Sequence, residues 1–263
     1  MAIGRMEFHA DTIMQHANFS FVLPNDYTPE EQGDSKHYAR PPKALILLHG
    51  LTGTDTDWLY SGAAQAVSRK YNLAVFMPTT GNSFYLNRGY AGGDFSAFIG
   101  EELPAYIRKV FGFCASREDT ILGGLSMGGF GALHTAFGYP QTFCGCIALS
   151  SALRLYDLAK DGDHGDGVMP AAMARDIFGG RDTLLTSDKN PEVQYRRLRA
   201  AGAPIPRLYL AVGTEDALLP ANRQFRNFLE SEGADFVYEE GPGAHDWTFW
   251  NEYIDRGVVC VLN

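Results

Sequence analysis

Long apolar runs are missing from this 263-residue sequence, in which no stretch approaches the 18 consecutive apolar residues of a membrane-spanning helix. The first sixteen residues include acidic and histidine side chains where a signal peptide would need an apolar core. Positive charge is also scarce, since 22 lysines and arginines are outnumbered by 31 aspartates and glutamates, for a formal net charge of −9. Nucleic acids and anionic membranes both require clustered cations, so this balance argues against either partner. We therefore expect a cytoplasmic protein.

Cysteine is scarce as well, with only Cys114, Cys144, Cys146 and Cys260. They form no Cys-x-x-Cys pair, and no histidine lies near them at the spacing of a zinc site, so no metal site is predicted. Cys144 and Cys146 alternate within an apolar strand pattern, which predicts that both face the same side of a sheet as core thiols. A redox or metal role is the less favoured alternative.

Strand and helix patterns alternate along most of the chain. Residues 18–22 alternate between apolar and polar, which predicts one or two antiparallel edge strands, and the polar stretch 24–42 predicts a surface connection. Short apolar runs predict strands at 44–48, 74–77, 120–122, 143–149, 207–212 and 235–239. Helical spacing predicts helices at 61–71, 94–111, 128–138, 191–201, 220–232 and 246–256. This alternation predicts an α/β fold with a mostly parallel sheet and helices on both faces, in a single domain spanning residues 1–263.

Residues 153–190 interrupt the alternation of strands and helices. The segment is too long for a tight connection, so we interpret it as an insertion over the carboxyl ends of the strands. Ligands bind at that edge of open α/β sheets, and the insertion is therefore a candidate cap. Its acidic loop, Asp161–Gly167, lacks the spacing of a calcium-binding EF-hand, and we expect it and His164 to be solvated.

The strongest chemical signal is a serine flanked by glycines. Gly124-Leu125-Ser126-Met127-Gly128 follows the strand predicted at 120–122 and precedes the helix predicted at 128–138. A G-x-S-x-G in this setting is typical of a nucleophile elbow, a sharp turn that exposes the central serine. Glycines at the flanks let neighbouring backbone pass closely, and the following helix N-terminus supplies N–H groups and partial positive charge. We therefore predict that Ser126 is a nucleophile.

A serine hydroxyl is a weak nucleophile at neutral pH and needs a base, which in turn needs an orienting carboxylate. His245 lies in a loop after the last predicted strand, and Asp216 follows the strand before it, 29 residues earlier. The order Ser126, Asp216, His245 is the order of the α/β-hydrolase triad. Glu215 is the rival for the acid, and Asp246 is disfavoured because adjacent side chains usually diverge.

An oxyanion hole is the third requirement of such a site. One donor should be the backbone N–H of Met127, the residue after the nucleophile. We nominate the N–H of Leu51 as the other, because glycines in the turn after the first core strand let its backbone approach a substrate. His49 in the same turn is predicted to be structural. Trp58, Tyr85 and Trp247 are candidates for a substrate pocket, with core packing the alternative for each.

Several of these segments together resemble the esterase D family of α/β-hydrolases, and within it the tributyrin-esterase-like and feruloyl-esterase-like carboxylesterases. The resemblance covers about residues 5–255 and depends on His49-Gly50-Leu51-Thr52-Gly53 with Trp58, on Glu101-Glu102-Leu103-Pro104, on the serine motif, on Gly213 with Asp216, and on His245-Asp246-Trp247 with Trp250. It implies an α/β-hydrolase fold, no cofactor, and hydrolysis of short-chain acyl or aryl esters through an acyl-enzyme. It also implies that Ser126, Asp216 and His245 form the triad, that the Leu51 and Met127 amides form the oxyanion hole, and that members are often homo-oligomers.

The expected function is therefore a serine carboxylesterase acting on a small-molecule ester. An S-formylglutathione hydrolase-like thioesterase is one alternative, although members with that activity usually have cysteine where this chain has Gly53. An acyltransferase would use the same triad with an alcohol in place of water. A catalytically silent binding module is the alternative from a different class.

Overall fold

The computed structural model describes residues 1–159 and 169–263. Eight strands of the described residues form one sheet in the order β1-β2-β4-β3-β5-β6-β7-β8. The first two strands are antiparallel to each other and β2 is antiparallel to β4, whereas β3 to β8 are all parallel. The strands are β1 (Ala2–Ala10), β2 (Gln15–Leu23), β3 (Lys43–Leu48), β4 (Leu73–Pro78), β5 (Thr120–Leu125), β6 (Gly145–Leu149), β7 (Arg207–Gly213) and β8 (Phe236–Gly241).

Helices connect the parallel strands and cover both faces of the sheet. Short 3₁₀ turns occur at Lys36–Ala39 and Arg117–Asp119, and a π-helical segment at Phe98–Glu102 joins α4 to α5. The α-helices of the described residues are α1 (Pro29–Gln32), α2 (Asp57–Tyr60), α3 (Ala64–Tyr71), α4 (Phe95–Ala97), α5 (Leu103–Phe111), α6 (Met127–Gly138), α7 (Leu155–Ala159), α8 (Ala171–Phe178), α9 (Arg181–Leu184), α10 (Pro191–Ala200), α11 (Leu219–Ser231) and α12 (Trp247–Leu262).

The two faces of the sheet bury two separate apolar clusters. Alternate strand residues such as Ile46 and Leu122 pack on one face with α6, and the intervening residues such as Leu45 and Ile121 pack on the other with α3 and α12. This burial on both faces explains why the parallel strands appear as continuous apolar runs. The predicted α/β fold, with a mostly parallel sheet between helices, is confirmed.

The structure differs from the predictions in two local features. The helix predicted at 61–71 begins three residues later, as α3 (Ala64–Tyr71), and a separate short helix that was not predicted, α2 (Asp57–Tyr60), precedes it. The prediction that Cys144 and Cys146 face the same side is wrong, because Cys146 packs in the α6-side cluster and Cys144 against the α12-side cluster. Since β6 begins at Gly145, the twofold alternation of a strand does not extend back to Cys144.

Across residues 1–159 and 169–263, no helix combines the length and the apolar composition that crossing a bilayer requires.

Candidate active site

The carboxyl ends of the parallel strands bring together residues that are far apart in sequence. Ser126 follows β5, Asp216 lies three residues after β7, and His245 lies four residues after β8. Leu51 follows β3, which lies next to β5 in the sheet. Because all of these strands run in the same direction, their following loops meet at one edge.

Ser126 lies in a sharp turn between β5 and α6. Its backbone has φ 55° and ψ −118°, a left-handed conformation that a non-glycine residue rarely adopts. The Ser126 N–H donates to the Leu149 carbonyl at 2.9 Å, which ties the turn to the neighbouring strand β6. A Cβ atom at Gly128 would lie inside van der Waals contact with the carbonyl oxygens of Leu48 and His49, so only glycine lets α6 begin this close to β3.

The three predicted triad side chains form a hydrogen-bonded series with His245 in the middle. His245 Nε2 is 3.0 Å from Ser126 Oγ, and His245 Nδ1 is 2.8 Å from Asp216 Oδ2. The Asp216 side chain is fully buried, whereas that of His245 is 36% exposed. With Nδ1–H donating to the carboxylate, Nε2 is left unprotonated and can accept the serine proton.

The surroundings of Asp216 favour its ionised form. Burial alone would raise the pKa of the carboxyl group, but hydrogen bonds from His245 and the Leu218 N–H, together with the nearby Ser150 hydroxyl, outweigh burial and hold the pKa below the usual aspartate value. The Leu218 N–H donates to Oδ1 at 2.8 Å, while His245 bonds Oδ2. Both carboxylate oxygens are therefore held in place. The rival carboxylate, Glu215, instead accepts the Gly243 N–H and does not contact His245.

Two backbone N–H groups are available for an oxyanion. Leu51 and Met127 both line the same pocket as Ser126, and among the described residues neither N–H has a hydrogen-bond acceptor. The Gly50–Leu51 peptide is held in place through its carbonyl group. The Gly50 carbonyl oxygen accepts hydrogen bonds from His49 Nδ1 at 2.7 Å and from the Gly53 N–H at 3.1 Å. Because the N–H and the carbonyl of a trans peptide point in opposite directions, fixing the Gly50 carbonyl also fixes the direction of the Leu51 N–H.

His49 is placed as a structural residue of this turn. It is buried, its Nδ1 donates to Gly50, and its Nε2 accepts the Thr80 N–H at 3.1 Å. Burial lowers the pKa of His49, so the ring is neutral and can hold both bonds at once.

A mostly apolar pocket of about 240 Å³ opens beside Ser126 and His245. Its other lining residues in the described parts of the chain come from the oxyanion turn, the loop after β4, the segment after β6 and the loop after β7. They are Leu51, Phe84, Met127, Ala152, Arg154, Leu158, Met169, Phe178, Asp216, Ala217 and Leu218. Four of them (Arg154, Leu158, Met169 and Phe178) belong to the segment 153–190.

The prediction that Trp58, Tyr85 and Trp247 line the substrate pocket is not supported by the structure, since none of them lies on its wall. Trp58 is 1% exposed and its indole N–H donates to the Leu48 carbonyl, and Tyr85 is fully buried with its hydroxyl donating to the His49 carbonyl. Trp247 packs edge-on against Trp58. The two buried rings hold the backbone that leads into the oxyanion turn.

Sequence reasoning missed Phe84, Phe178 and Ser150. Phe84 and Phe178 lie on the pocket wall and pack edge-to-face at 4.9 Å between centroids. The Ser150 hydroxyl is one of the groups that lower the pKa of Asp216, and Ser150 could have been noticed because it directly follows a core strand, as Ser126 does. Nothing in a linear pattern identifies the two phenylalanines, because their contact joins distant segments.

Two predictions concern residues outside the described part of the chain. These are the solvated acidic loop at Asp161–Gly167 and the solvated His164. Within residues 1–159 and 169–263, no group of three or more histidine, cysteine, aspartate or glutamate side chains could hold a metal ion.

The chain is similar to known esterases and serine hydrolases. The Esterase family model, described as "Putative esterase", matches residues 10–259. An acetyl esterase of Caldicellulosiruptor saccharolyticus is 38% identical over 255 residues, which are 97% of this chain and 96% of the relative. Two Staphylococcus aureus structures cover all of this chain at 26% identity. The fluorophosphonate-binding serine hydrolase FphF has a TM-score of 0.83 over 98% of its chain, and the S-formylglutathione hydrolase FrmB has a TM-score of 0.82 over 99%.

Proposed function

The chain belongs to the Esterase family, and from that membership we propose that it is a serine carboxylesterase in which Ser126, His245 and Asp216 perform the chemistry. The observation that carries this assignment is the hydrogen-bonded series from Ser126 through His245 to a buried, ionised Asp216.

The proposed reaction has two steps. Ser126 Oγ attacks the ester carbonyl while His245 Nε2 takes its proton, and the resulting oxyanion binds the N–H groups of Leu51 and Met127. Collapse of this intermediate expels the alcohol, which takes the proton from His245 and leaves an acyl-enzyme. His245 then activates a water that hydrolyses the acyl-enzyme and restores Ser126. Asp216 stabilises the imidazolium that forms in each step.

We propose short acyl esters, with acetate as the first member to test, as the substrate class. The likeness to an acetyl esterase over nearly the full length of both chains supports this class. The described pocket beside Ser126 is small and mostly apolar, and its walls include Phe84 and Phe178, which suits a short uncharged acyl group.

We also propose that the segment 153–190 acts as a cap over this pocket in a single-domain protein. The support is that Arg154, Leu158, Met169 and Phe178 of this segment line the pocket. An ion pair between Arg88 and Asp176 at 3.1 Å joins α8 to the body of the protein.

The test is hydrolysis of p-nitrophenyl acetate, butyrate and octanoate, with methyl ferulate alongside. We expect the wild-type protein to cleave the short esters. We expect Ser126→Ala to lower kcat by about 10³-fold or more, because removing a triad member removes nucleophilic catalysis. Activity of Ser126→Ala near that of the wild type would overturn the assignment.

Hydrolysis of S-formylglutathione is a second candidate function. The specific observation in its favour is the likeness to FrmB, which equals that to FphF in identity and coverage of this chain. We rank it below ester hydrolysis because the most identical of these three relatives is an acetyl esterase. A kcat/KM for S-formylglutathione well above that for p-nitrophenyl acetate, with both activities lost in Ser126→Ala, would reverse the ranking.

A further inference from the structure

The oxyanion turn, residues 49–53, contains a β-turn with an unfavourable residue at one corner. The Gly53 N–H donates to the Gly50 carbonyl at 3.1 Å, so Leu51 and Thr52 are the two central residues of that turn. Thr52 has a positive φ of 64° and Leu51 does not, which is the pattern of a type II turn. The second central position of this turn type normally holds glycine or asparagine, because a β-branched side chain is strained there.

Reversal of a single peptide would relieve this strain. Turns of type I and type II differ in the orientation of their central peptide, here Leu51–Thr52, and a type I turn would give Thr52 an ordinary negative φ. The hydrogen bond between Gly53 and Gly50 is compatible with both types, so it does not choose between them. Because Leu51 belongs to both the reversing peptide and the preceding one, the reversal would displace the N–H that is proposed to bind the oxyanion.

Asn82 holds the central peptide in its observed orientation. Its Oδ1 accepts the Thr52 N–H at 2.7 Å. Among the described residues this is the only hydrogen bond to that peptide, since no donor reaches the Leu51 carbonyl. After a reversal the Leu51 carbonyl oxygen would face Asn82 Oδ1, and two acceptors would then oppose each other. The side chain of Asn82 therefore favours the orientation that strains Thr52.

The loop that follows β4, residues 79–85, fixes the rest of the oxyanion turn. The Thr80 N–H donates to His49 Nε2 at 3.1 Å, and the Tyr85 hydroxyl donates to the His49 carbonyl at 2.9 Å. These two bonds fix the start of the turn, and Asn82 from the same loop fixes its strained corner. Among the described residues Asn82 is not part of the pocket wall, so it acts on the turn and not on the substrate.

We propose that Asn82 is a positioning residue for the reaction, which locks the Leu51–Thr52 peptide in its strained orientation and thereby pre-forms the oxyanion hole. This inference rests on the proposed function. The locked turn holds the Leu51 N–H where negative charge develops on the substrate oxygen, so the turn need not reorganise during the reaction. The hydrogen bond from the Thr52 N–H offsets the cost of a left-handed threonine.

The principal test is Asn82→Ala, which removes the acceptor of the Thr52 N–H. We expect kcat for p-nitrophenyl acetate to fall about tenfold, the value of one hydrogen bond, with KM nearly unchanged because no substrate contact is lost. The loss should stay below the cost of removing an oxyanion donor outright, which is about 10²- to 10³-fold. Asn87→Ala is the matched control and should leave kcat unchanged. Asn87 lies five residues further along, and its Oδ1 also accepts a backbone N–H, that of Ser96, at 2.9 Å.

A second variant tests whether Asn82 opposes the strain at Thr52. Glycine adopts a positive φ without strain, so Thr52→Gly favours the type II turn by itself. The threonine side chain is exposed, so its removal costs little packing. In a background that carries Thr52→Gly, Asn82→Ala should lower kcat by less than about threefold. An equal loss in both backgrounds would overturn the lock, because Asn82 would then act independently of the turn.

Inhibition by an alkyl trifluoromethyl ketone distinguishes positioning from general damage. Ser126 Oγ adds to the ketone carbon while His245 Nε2 takes the serine proton, and the ketone oxygen becomes an oxyanion in the oxyanion hole. Asn82→Ala should weaken this inhibition by about the same factor by which it lowers kcat, whereas Asn87→Ala should not weaken it. A reduced kcat with wild-type affinity for the ketone would overturn the lock.

The failure of this inference and that of the proposed function give different results. Unchanged kcat and ketone affinity in Asn82→Ala, with Ser126→Ala inactive, would overturn the lock while the esterase assignment stands. If Ser126→Ala retains wild-type hydrolysis, it is the proposed function that fails. If Asn82→Ala does not fold, the double variant with Thr52→Gly is compared with Thr52→Gly alone. A kcat lower by about tenfold or more in the double variant would then overturn the lock.

Discussion

At the scale of single residues, the geometry gives two adjacent carboxylates different roles. Asp216 is buried and contacts His245, whereas the neighbouring Glu215 is exposed and accepts a backbone N–H from Gly243. Both had been candidates for the acid, because a sequence position after a core strand does not determine which way a side chain points. The contact with His245 favours Asp216.

Replacing the carboxylate of Asp216 by an amide should test its role with little change of shape. We expect Asp216→Asn to lower kcat by about 10⁴-fold, the size of the effect when a triad aspartate becomes asparagine, because the amide favours the wrong imidazole tautomer. Steady-state hydrolysis of p-nitrophenyl acetate is the measurement. Glu215→Gln is the matched control, since a glutamine oxygen can still accept the Gly243 N–H, and its kcat should stay near that of the wild type. A larger loss in Glu215→Gln than in Asp216→Asn would exchange their roles.

At the scale of elements, the turn from β5 into α6 depends on how closely the helix start approaches β3. Gly128 lies against the carbonyl oxygens of Leu48 and His49, at the strand end that leads to the oxyanion turn. Any shift of α6 away from β3 would therefore also separate the Met127 and Leu51 N–H groups.

Alanine substitutions at the two ends of α6 should have opposite consequences. In Gly128→Ala, the new methyl group would overlap two carbonyl oxygens, so we expect the free energy of unfolding to fall by about 1–3 kcal/mol. We also expect kcat to fall in the protein that remains folded, because the overlap shifts the start of α6. Gly138→Ala adds the same methyl group at the last residue of the helix, where a Cβ would meet open space beyond its own helix among the described residues. Its stability should be unchanged or rise by up to about 1 kcal/mol. The measurements are urea denaturation and an esterase assay on each variant. Equal changes of stability and activity in the two variants would contradict this interpretation.

At the scale of the whole molecule, the pocket is assembled from segments that are distant in sequence. Phe84 follows β4 and Phe178 ends α8 in the segment 153–190, and their edge-to-face contact forms part of the wall. Phe130 of α6 packs behind both rings. The size of the pocket is thus set jointly by the body of the fold and by the inserted segment.

Shortening Phe178 should change which acyl chains are accepted. We expect Phe178→Ala to raise the ratio of octanoate to acetate hydrolysis by at least about tenfold, because removing the ring extends an apolar wall that longer chains can occupy. The measurement is kcat/KM across the p-nitrophenyl ester series. Ile177→Ala is the control, since Ile177 is buried in the same helix but does not line the described pocket. An unchanged chain-length profile in Phe178→Ala would exclude this ring from acyl selection.

The sequence by itself determined the order of strands and helices and the sites where chemistry could occur. These features can be recognised locally. The elbow at Ser126 needs glycines close to it in sequence, and Asp216 and His245 each lie in the loop that follows its own parallel strand. The same local reasoning failed at Cys144, where a strand boundary differed by two residues from the predicted one.

Only the tertiary structure decided which side chains surround those sites. Trp58 and Tyr85 were candidates for the substrate pocket. Their polar atoms instead donate hydrogen bonds to backbone carbonyls, and their rings are buried in the core. Phe84 and Phe178 line the pocket instead. The physical reason is that pocket walls are contacts between distant segments, and the direction of a side chain at such a contact is set by packing rather than by its neighbours in the chain.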